Sequence, residues 1–431
     1  MVIRGGTVVD STASRRADVV VRDGVIACVA DASGTASDAS LDAAGARVLD
    51  ADGCVVAPGL VDLHAHLREP GHEEAETVET GSRAAALGGY TAVVAMPNTD
   101  PPIDSAAVVR QVLGLGATAV CDVAVAGAIT VGRRGERLAP LAEMAALGVR
   151  LFTDDGVGVQ DGRLMRRALE YASDLDVVLA QHCEDQSLAA GGHMHEGGWS
   201  SRLGVPGAPA EAEEVMVARD LALMRLTGAR LHLLHLSTAG SVAMVEAAKS
   251  EGLPVTAEVA PHHFSLTDAD VASYDTRFKV NPPLRTGPDV DAVKQGLRSG
   301  VIDAIATDHA PHAQETKEVP FSEAPPGMLG LETALALALT ELGLPLDRVL
   351  PLMSWQPARI AGLVGAHGGP VAEGRPANLC VIDPEAHWVV EPERLASRSR
   401  NTPYAGRKLS GRVRHTVLRG ELVVIDGEAQ R

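Results

Sequence analysis

Short apolar runs alternate with longer alanine- and leucine-rich stretches through the middle of the chain. The stretches at 213–226 and 331–342 have the length and composition of helices. Alternation of this kind is typical of βα units and predicts a parallel sheet. The candidate strands are 60–66, 91–96, 122–128, 149–153, 177–181, 230–236, 254–259 and 302–307. Eight such units over roughly 300 residues favour an α/β fold of the (β/α)8 TIM-barrel type over a doubly wound sheet.

Both ends of the chain follow a different pattern, in which short strand-like runs are separated by turn signals. The runs are 2–9, 18–21, 25–29 and 47–49 before the barrel, and 378–382, 388–390 and 415–425 after it. Residues 31–45 have the composition of a loop. Because the termini of a domain often lie close together, we predict one small β-sandwich domain built from both ends. The predicted parts are 1–56 and 366–431, with the catalytic barrel at 57–365.

Histidines and aspartates recur directly after the apolar runs. Active-site residues of a TIM barrel lie at the C-terminal ends of its strands, so these side chains are expected to converge. The strand ends contain His64, His66 and Arg68, then Asn98, Asp154 and Asp155, His182, His235, His262 and His263, and finally Asp308, His309 and His312. Histidine or aspartate at five or more ends of one barrel is hard to explain as packing.

The run Asp62-Leu63-His64-Ala65-His66-Leu67-Arg68 is the first of these endings. Side chains alternate faces along a strand, so His64 and His66 point the same way and are spaced to chelate one divalent metal. Asp62 and Arg68 share that parity and could meet the same ligand. Alone, the motif is weak evidence and more often marks a pair of core or surface histidines, but the similar endings of the later strands favour metal binding.

The candidate ligands exceed what one tetrahedral site needs. Four histidines with aspartates suit zinc or a similar cation, and two ions that share a carboxylate would use them all. The bridge must be anionic, and the first lysine is Lys249, so the fourth strand cannot supply a carboxylated lysine. Either Asp154 or Asp155 must then serve. Asp308 at the eighth strand is the natural proton carrier, with a turn-capping role as the alternative.

Composition limits the classes of partner and compartment. The net charge of −18 argues against a broad basic face for nucleic acid or anionic membrane. The five cysteines are scattered and form no C-x-x-C, which indicates reduced thiols and a cytoplasmic protein. We identify no signal peptide and no apolar run that approaches the ~20 residues of a membrane helix.

Together the motifs resemble those of the long bacterial type of dihydroorotase, in the metal-dependent amidohydrolase superfamily, over nearly the whole chain. They are Asp62-Leu63-His64-Ala65-His66-Leu67-Arg68-Glu69-Pro70-Gly71, Met96-Pro97-Asn98-Thr99, Phe152-Thr153-Asp154-Asp155-Gly156, His182-Cys183-Glu184-Asp185, His235-Leu236-Ser237-Thr238 and Ala306-Thr307-Asp308-His309-Ala310-Pro311-His312. Any one of these motifs is suggestive alone, and their ordered set is specific.

The resemblance implies a role for each matching residue. It implies two Zn²⁺ per subunit, bound by His64, His66, Asp155, His182, His235 and Asp308. Asp155 would bridge the ions, with the first two histidines and Asp308 on one of them, and Asp308 would also be catalytic. The implied substrate contacts are His66, Arg68, Asn98, Asn281, His312, Pro326 and Gly327. An arginine fork suits a substrate carboxylate because it binds bidentately.

The implied reaction is the reversible cyclisation of N-carbamoyl-L-aspartate to L-dihydroorotate in pyrimidine biosynthesis. The expected partners are a second copy of this chain, in a homodimer, and aspartate carbamoyltransferase. One alternative is another cyclic amidohydrolase, such as a hydantoinase or allantoinase. The other is a non-catalytic dihydroorotase-like partner of aspartate carbamoyltransferase, although such chains should lose ligands that this sequence keeps.

Several further residues have chelating or catalytic character without a clear site. His193-x-His195 lies among glycines and is predicted to be a loop, while parity turns Cys183 and His232 away from the predicted metals. His262 and His263 are candidates for support of the ligands, and His309 for support of Asp308 or for packing. Residues 313–325 are charged and contain proline. This composition is compatible with an active-site lid and with a mobile loop, and the sequence does not distinguish the two.

Overall fold

The computed structural model describes residues 1–31 and 47–430. The predicted loop at 31–45 therefore lies, apart from Asp31, outside the described residues. The described strands of the N-terminal segment are β1 (Val2–Arg4), β2 (Thr7–Val9), β3 (Ser14–Arg22), β4 (Val25–Asp31), β5 (Val48–Asp50) and β6 (Val55–Pro58). The predicted run at 2–9 is thus two strands, because Gly5 turns the chain with a φ of 79°.

Eight parallel strands then form a barrel. They are β7 (Leu60–Ala65), β8 (Tyr90–Ala95), β9 (Asp122–Val125), β10 (Leu151–Phe152), β11 (Val178–Gln181), β14 (Leu231–Leu233), β15 (Val255–Val259) and β16 (Ala304–Ile305), with the short pair β12 (Met194–His195) and β13 (Gly207–Ala208) in a loop. Parallel bridges from Gly127 to Phe152 and from Ala65 to His309 close the ring. All eight predicted barrel strands are found.

Helices surround the barrel and connect its strands. They are α1 (Val78–Leu87), α2 (Ala106–Gly116), α3 (Leu141–Ala145), α4 (Gly162–Leu175), α5 (Gln186–Ala189), α6 (Gly198–Leu203), α7 (Glu211–Thr227), α8 (Ala239–Ser250), α9 (Pro261–Ser265), α10 (Gly287–Ser299), α11 (Gln314–Lys317), α12 (Ala334–Glu341), α13 (Leu346–Met353) and α14 (Trp355–Ile360). Short 3₁₀ helices lie at Val131–Arg133, Asp268–Ser273, Thr276–Phe278 and Pro392–Arg394. None of the described helices combines the length and apolar character that crossing a membrane requires.

The C-terminal segment returns to the N-terminal strands. Its strands are β17 (Leu379–Val389), β18 (Lys408–Leu418), β19 (Glu421–Ile425) and β20 (Glu428–Ala429). The predicted runs at 378–382 and 388–390 therefore belong to one strand. Strand β17 pairs antiparallel with β6, so that both ends of the chain share one curled sheet. The domain boundaries 1–56, 57–365 and 366–431 stay a prediction.

Separate apolar clusters fill the two parts of the fold. Alternate residues of the barrel strands, including Leu63, Val94, Leu151 and Leu234, meet inside the barrel. The terminal sheet packs residues from both chain ends into its own core, as Ile3 and Val417 show. Burial of apolar surface is the main stabilising term in folding, so the cluster inside the barrel gives the strand ends a rigid base.

Candidate active site

Four imidazole rings surround one carboxylate at the C-terminal ends of the barrel strands. Asp155 Oδ1 lies 3.4 Å from His64 Nε2 and 3.5 Å from His182 Nδ1. The same oxygen lies 3.6 Å from His235 Nε2, and Asp155 Oδ2 lies 3.6 Å from His66 Nε2. All five side chains are buried. The structure thus brings together residues from four strand ends that are far apart in sequence.

The geometry of this cluster fits two cations that share a ligand. Ligand atoms of His64, His66 and Asp155 lie within 4.8 Å of one another, and so do those of Asp155, His182 and His235. The buried atoms His64 Nε2 and His235 Nδ1 have no hydrogen-bond partner among the described residues. Imidazole nitrogen and carboxylate oxygen are donors that suit zinc and similar metals. The residues present therefore fit a metal pair.

The two adjacent aspartates have different surroundings. The Asp154 carboxylate accepts hydrogen bonds from the backbone nitrogens of Ile129 at 2.9 Å and Thr130 at 3.0 Å, and from the Thr130 hydroxyl. The hydrogen bonds therefore hold the Asp154 carboxylate at Ile129 and Thr130. Of the two aspartates, Asp155 is the one whose carboxylate faces the four histidines. Burial alone would raise the pKa of Asp155, but the neighbouring imidazoles hold it well below its ordinary value.

Asp308 lies beside the same cluster at the end of the eighth strand. Asp308 Oδ1 is 3.2 Å from His66 Nε2 and 3.6 Å from His64 Nε2, while Oδ2 is 3.8 Å from His262 Nε2. Its backbone has a φ of 46°, a conformation that few residues other than glycine adopt. Burial would raise the pKa of this carboxyl, but the hydrogen bond and charge of the histidines lower it.

Glu258 is a buried acid that the sequence analysis missed. Glu258 Oε1 lies 2.9 Å from His64 Nδ1, and Oε2 lies 3.0 Å from His232 Nε2. His232 in turn reaches Thr256 Oγ1 at 2.8 Å, so it faces this carboxylate rather than Asp155. A carboxylate on the far nitrogen of a ligand histidine fixes its tautomer and ring orientation. The available signal was a lone acid inside the apolar strand β15.

Asp62 does not join the cluster, although it shares the parity of His64 and His66. Its carboxylate accepts bonds from the Thr307 backbone nitrogen at 2.8 Å and hydroxyl at 2.5 Å. The pairing of β7 with β8 is irregular between Asp62 and Ala65, so the alternation of faces that links Asp62 to His64 in the sequence is interrupted in the structure. Burial raises the pKa of Asp62 to about 7, although the bonds from Thr307 oppose this change.

Arg68 and His312 form one wall of the space beside the cluster. Arg68 Nε donates to the Pro311 carbonyl at 3.0 Å, and Arg68 Nη2 lies 3.4 Å from His312 Nε2. His312 Nε2 is 2.8 Å from the Pro326 carbonyl. At Gly327, φ is 140° and an added Cβ would lie 2.8 Å from His312 Nε2, so this position requires glycine.

Two asparagines lie on the rim of the metal-ligand cluster. Asn98 Oδ1 is 2.8 Å from His66 Nδ1, and Asn98 Nδ2 donates to Asp155 Oδ2 at 3.5 Å. Asn281 Nδ2 lies 3.4 Å from His182 Nε2. The residues predicted to bind metal or substrate are therefore neighbours in the structure, grouped around Asp155 and Arg68. Arg133 was not predicted, and its guanidinium donates to the Asp155 carbonyl at 2.7 Å.

Other histidines have structural partners. His193 Nδ1 lies 3.4 Å from Lys279 Nζ, and His195 Nδ1 lies 3.1 Å from Arg285 Nη1, so each histidine of this pair has a basic side chain as its neighbour. The predicted loop at this pair contains the short strand β12. His309 lies 3.3 Å from a carboxylate oxygen of Glu76.

The histidine pair at the start of α9 and one cysteine complete the set. His263 Nε2 donates to the Pro282 carbonyl at 3.0 Å, while the neighbouring ring of His262 points toward Asp308. Cys183 is buried and its thiol donates to the Gln181 carbonyl at 3.3 Å. Burial raises the pKa of this thiol well above its ordinary value, which disfavours the nucleophilic thiolate form.

The segment 313–325 is held against the segment 276–279 by hydrogen bonds. Lys317 Nζ donates to the carbonyls of Thr276 at 2.9 Å and Pro325 at 2.7 Å. Lys279 Nζ donates to the carbonyls of Phe321 at 2.8 Å and Ser322 at 3.0 Å. Two buried ammonium groups thus hold the segment through its backbone oxygens, and α11 lies within it.

Comparison with known proteins places this site in a family. Residues 53–241 match the family model described as Dihydro-orotase-like. A dihydroorotase from Pelotomaculum thermopropionicum is 50% identical to the chain over 433 residues, covering 99% of each sequence. The chain belongs to the dihydroorotase family. A dihydroorotase from Streptomyces coelicolor is 52% identical over 408 residues, covering 93% of this chain and 94% of that relative. The family predicted from the motifs is confirmed, and the chain is an enzyme of the hydrolase class.

Solved structures extend the dihydroorotase-family assignment to the fold. The L-hydantoinase (dihydropyrimidinase) from Arthrobacter aurescens has a TM-score of 0.88 at 25% identity, covering 100% of this chain and 97% of that one. A D-hydantoinase has a TM-score of 0.85 at 23% identity, covering 99% of this chain and 96% of that one. The predicted TIM barrel with a terminal β-sandwich is confirmed.

Proposed function

We propose that this chain catalyses the reversible cyclisation of N-carbamoyl-L-aspartate to L-dihydroorotate, a step of pyrimidine biosynthesis. The observation that carries the proposal is a carboxylate surrounded by four imidazoles, with an arginine on the adjacent wall. The imidazoles and the carboxylate suit a metal pair, and the arginine suits an anionic substrate. The relatives described as dihydroorotases, about half identical over nearly the whole chain, support this substrate.

For the metals, we assign His64, His66 and Asp308 to one Zn²⁺ and His182 and His235 to the other, with Asp155 as the bridge. The separation between Asp155 and each of the four imidazoles, 3.4–3.6 Å, supports the bridging role. When bound, a pair of divalent cations polarises a carbonyl oxygen and lowers the pKa of water. Glu258 holds His64 in one tautomer and orientation for this purpose.

For the substrate, Arg68 provides the positive charge that a carboxylate needs. We assign Asn98 and His312 as neutral partners of the same carboxylate, and burial together with the charge of Arg68 lowers the pKa of His312 to about 3. His312 is then uncharged at neutral pH, so recognition of the anion depends on Arg68. His66 and Asn281 are assigned to the substrate on the cluster side, and the backbone of Pro326 and Gly327 lines the opposite side.

For the proton, we assign Asp308 as the group that moves it. In the hydrolytic direction water adds to the ring carbonyl carbon and the ring C–N bond breaks, while Asp308 takes a proton from that water and delivers it to the departing nitrogen. In the synthetic direction the carbamoyl nitrogen forms a bond to the carboxyl carbon and a C–O bond of that carboxyl breaks. Asp308 then moves the proton of the nitrogen to the departing oxygen, which leaves as water after it takes up one more proton from solution. The two histidines within 3.6 Å of Asp308 Oδ1 favour the ionised carboxyl that accepts the proton first in either direction.

One assay distinguishes the proposed reaction from two alternatives. A hydantoinase or allantoinase would turn over other cyclic amides, and a non-catalytic partner of aspartate carbamoyltransferase would turn over none. The enzyme loaded with zinc should be assayed with dihydroorotate, hydantoin and allantoin side by side, with its metal content measured. Turnover of dihydroorotate supports the proposal. Turnover of only the other two amides, or of none at two metals per chain, would contradict it.

The remaining proposals concern the cell. We infer a cytoplasmic enzyme, a homodimer and an association with aspartate carbamoyltransferase. The five cysteines, which are free in the described structure, support a reducing compartment. Size-exclusion chromatography with light scattering, alone and with aspartate carbamoyltransferase added, tests the assembly.

A further inference from the structure

We propose that Asn401, in the segment between β17 and β18, is a positioning residue for the pocket that holds the substrate. This inference rests on the proposed function. Asn401 lies outside the barrel strands and outside every motif of the sequence analysis. Its side chain is only 4% exposed, although asparagine is usually a surface residue.

The side-chain amide of Asn401 joins two backbone segments that contain residues assigned to the substrate, His312 and Gly327. Asn401 Oδ1 accepts from the backbone nitrogen of His312 at 3.1 Å. Asn401 Nδ2 donates to the carbonyls of Ala310 at 2.9 Å and Gly327 at 3.1 Å. The Asn401 backbone carbonyl also accepts from the Leu329 nitrogen at 3.1 Å. The residue therefore ties 310–312 to 327–329.

The chemistry of these contacts requires an amide. One side-chain atom faces two carbonyl oxygens and must be the NH₂ group, while the other faces an N–H and must be the oxygen. Aspartate has the same shape but no N–H donors. Its negatively charged carboxylate would face two carbonyl oxygens and be repelled by them. Because the site is buried, the lost bonds would not be replaced at low cost by water.

The residues that Asn401 holds are closely packed, so small shifts would change the contacts of His312. His312 reaches both Arg68 and the Pro326 carbonyl, and Gly327 approaches His312 too closely for any Cβ. The Ala310 nitrogen also donates directly to the Met328 carbonyl at 2.9 Å, so the two segments stay joined at Ala310 without Asn401. Losing the Asn401 bonds would release the backbone nitrogen of His312 and the carbonyl of Gly327, and would let His312 move relative to Arg68. A shift of about 1 Å in a group that orients the substrate can weaken its action strongly.

The segment before Asn401 is itself anchored to the barrel. The Ser397 hydroxyl donates to the Glu76 carboxylate, and the Arg398 backbone nitrogen donates to it at 3.0 Å. The Ser399 hydroxyl donates to the Ala75 carbonyl at 2.7 Å. Asn401 therefore belongs to a segment that is itself fixed, so its side chain can restrict the movement of the residues that it contacts.

The test compares Asn401→Asp with Asn378→Asp in the zinc-loaded enzyme. Asn378 is also 4% exposed, and it also joins two backbone segments, through Ala366 at 3.1 Å and Arg419 at 2.7 Å, but it lies in the terminal domain. We expect Asn401→Asp to raise the KM for dihydroorotate about tenfold or more, with kcat changed far less and metal content unchanged. Asn378→Asp should lower Tm without changing KM.

A second measurement separates a pocket effect from a general loss of stability. In a double-mutant cycle with His312→Ala, the KM effect of Asn401→Asp should shrink, because both changes act on one contact. An unchanged KM in folded Asn401→Asp would overturn the inference, as would equal KM effects of the two asparagine variants. Failure of both Asn401→Asp and Asn401→Ser to fold, while Asn378→Asp folds, would also overturn it. If the wild-type enzyme turns over no dihydroorotate, the proposed function fails instead.

Discussion

His64 and Glu258 form a buried pair in which the imidazole Nδ1 lies 2.9 Å from the carboxylate Oε1. The pair leaves His64 Nε2 directed at Asp155 and fixes which nitrogen carries the proton. His232 holds the other oxygen of Glu258 at 3.0 Å, so the carboxylate is fixed from both sides.

Replacing Glu258 by glutamine should therefore weaken metal binding. The change keeps the shape of the side chain but removes the charge that makes His64 a stronger ligand, and we expect a loss of about 10–100-fold in metal affinity. Competition with a chelator, followed by elemental analysis, measures this loss. Glu246→Gln on the exposed face of α8 is the matched control. Equal metal affinity in the two variants would contradict the role of Glu258.

Replacing Asp308 by asparagine should nearly abolish turnover in a folded protein. The amide cannot accept and return a proton, and general acid–base catalysis contributes about 10²–10⁴-fold to a rate. Steady-state kcat measured alongside a thermal unfolding curve and the metal content tests this prediction. A kcat near that of the wild type would remove Asp308 from its proton role.

Replacing Arg68 by methionine should weaken substrate binding much more than metal binding. A charged hydrogen bond to a carboxylate is worth about 1.5–3 kcal/mol, which corresponds to roughly 10–150-fold in affinity. Arg68→Lys should recover only part of this loss, since an ammonium cannot bind bidentately. The KM for dihydroorotate and the zinc content are the measurements. If both KM and kcat stayed unchanged, Arg68 would lie outside the site.

The pH of the solution should shift the equilibrium between substrate and product. Ring closure consumes one carboxylate and takes up one proton, so the ratio of dihydroorotate to carbamoyl-aspartate should fall about tenfold for each unit rise in pH near neutrality. Incubation from both directions at pH 6, 7 and 8, with the two compounds separated by chromatography, measures the ratio. A ratio independent of pH would mean that the proposed reaction is wrong.

Lys317 should make folding stability depend on pH. Burial and the nearby charge of Lys279 lower its pKa from 10.5 to about 7, although Asp275 opposes this change. Between pH 7 and 10.5 the unfolded chain then binds more protons than the folded one, so this lysine makes stability rise with pH, by at most about 1.4 kcal/mol per unit.

Removing Lys317 should flatten that rise. Lys317→Met and Lys408→Met, whose side chain is exposed, should be compared by denaturant unfolding from pH 7 to 10 at equal metal concentration. We expect the pH slope of the free energy of unfolding to decrease only in the first variant. Equal slopes in both variants would show that the pKa of Lys317 is not lowered by folding.

Much of the fold followed from the sequence because barrel strands repeat a simple pattern. The strand that carries His64 and His66 was recognisable by its apolar lead-in and by the parity of its histidines. Parity could not reveal the irregular pairing of this strand between Asp62 and Ala65, however, and Asp62 contacts Thr307 instead of the cluster.

The rest depended on contacts between distant segments. Nothing in the local sequence separates Asp154 from Asp155, because the difference lies in the Thr130 bonds that Asp154 accepts. Glu258 and Asn401 were missed for a similar reason. Each acts on a residue from another part of the chain, and a single sequence does not show which segments meet.

Strand β6 pairs with β17, so the first sheet of the molecule needs a neighbour that comes from near the end of the chain. During translation the edge of β6 stays open until the ribosome has released β17, after the whole barrel has emerged. An open strand edge invites pairing with other chains. Assembly of this enzyme therefore has an obligatory late step, and a polypeptide that stops short of β17 leaves a template for aggregation.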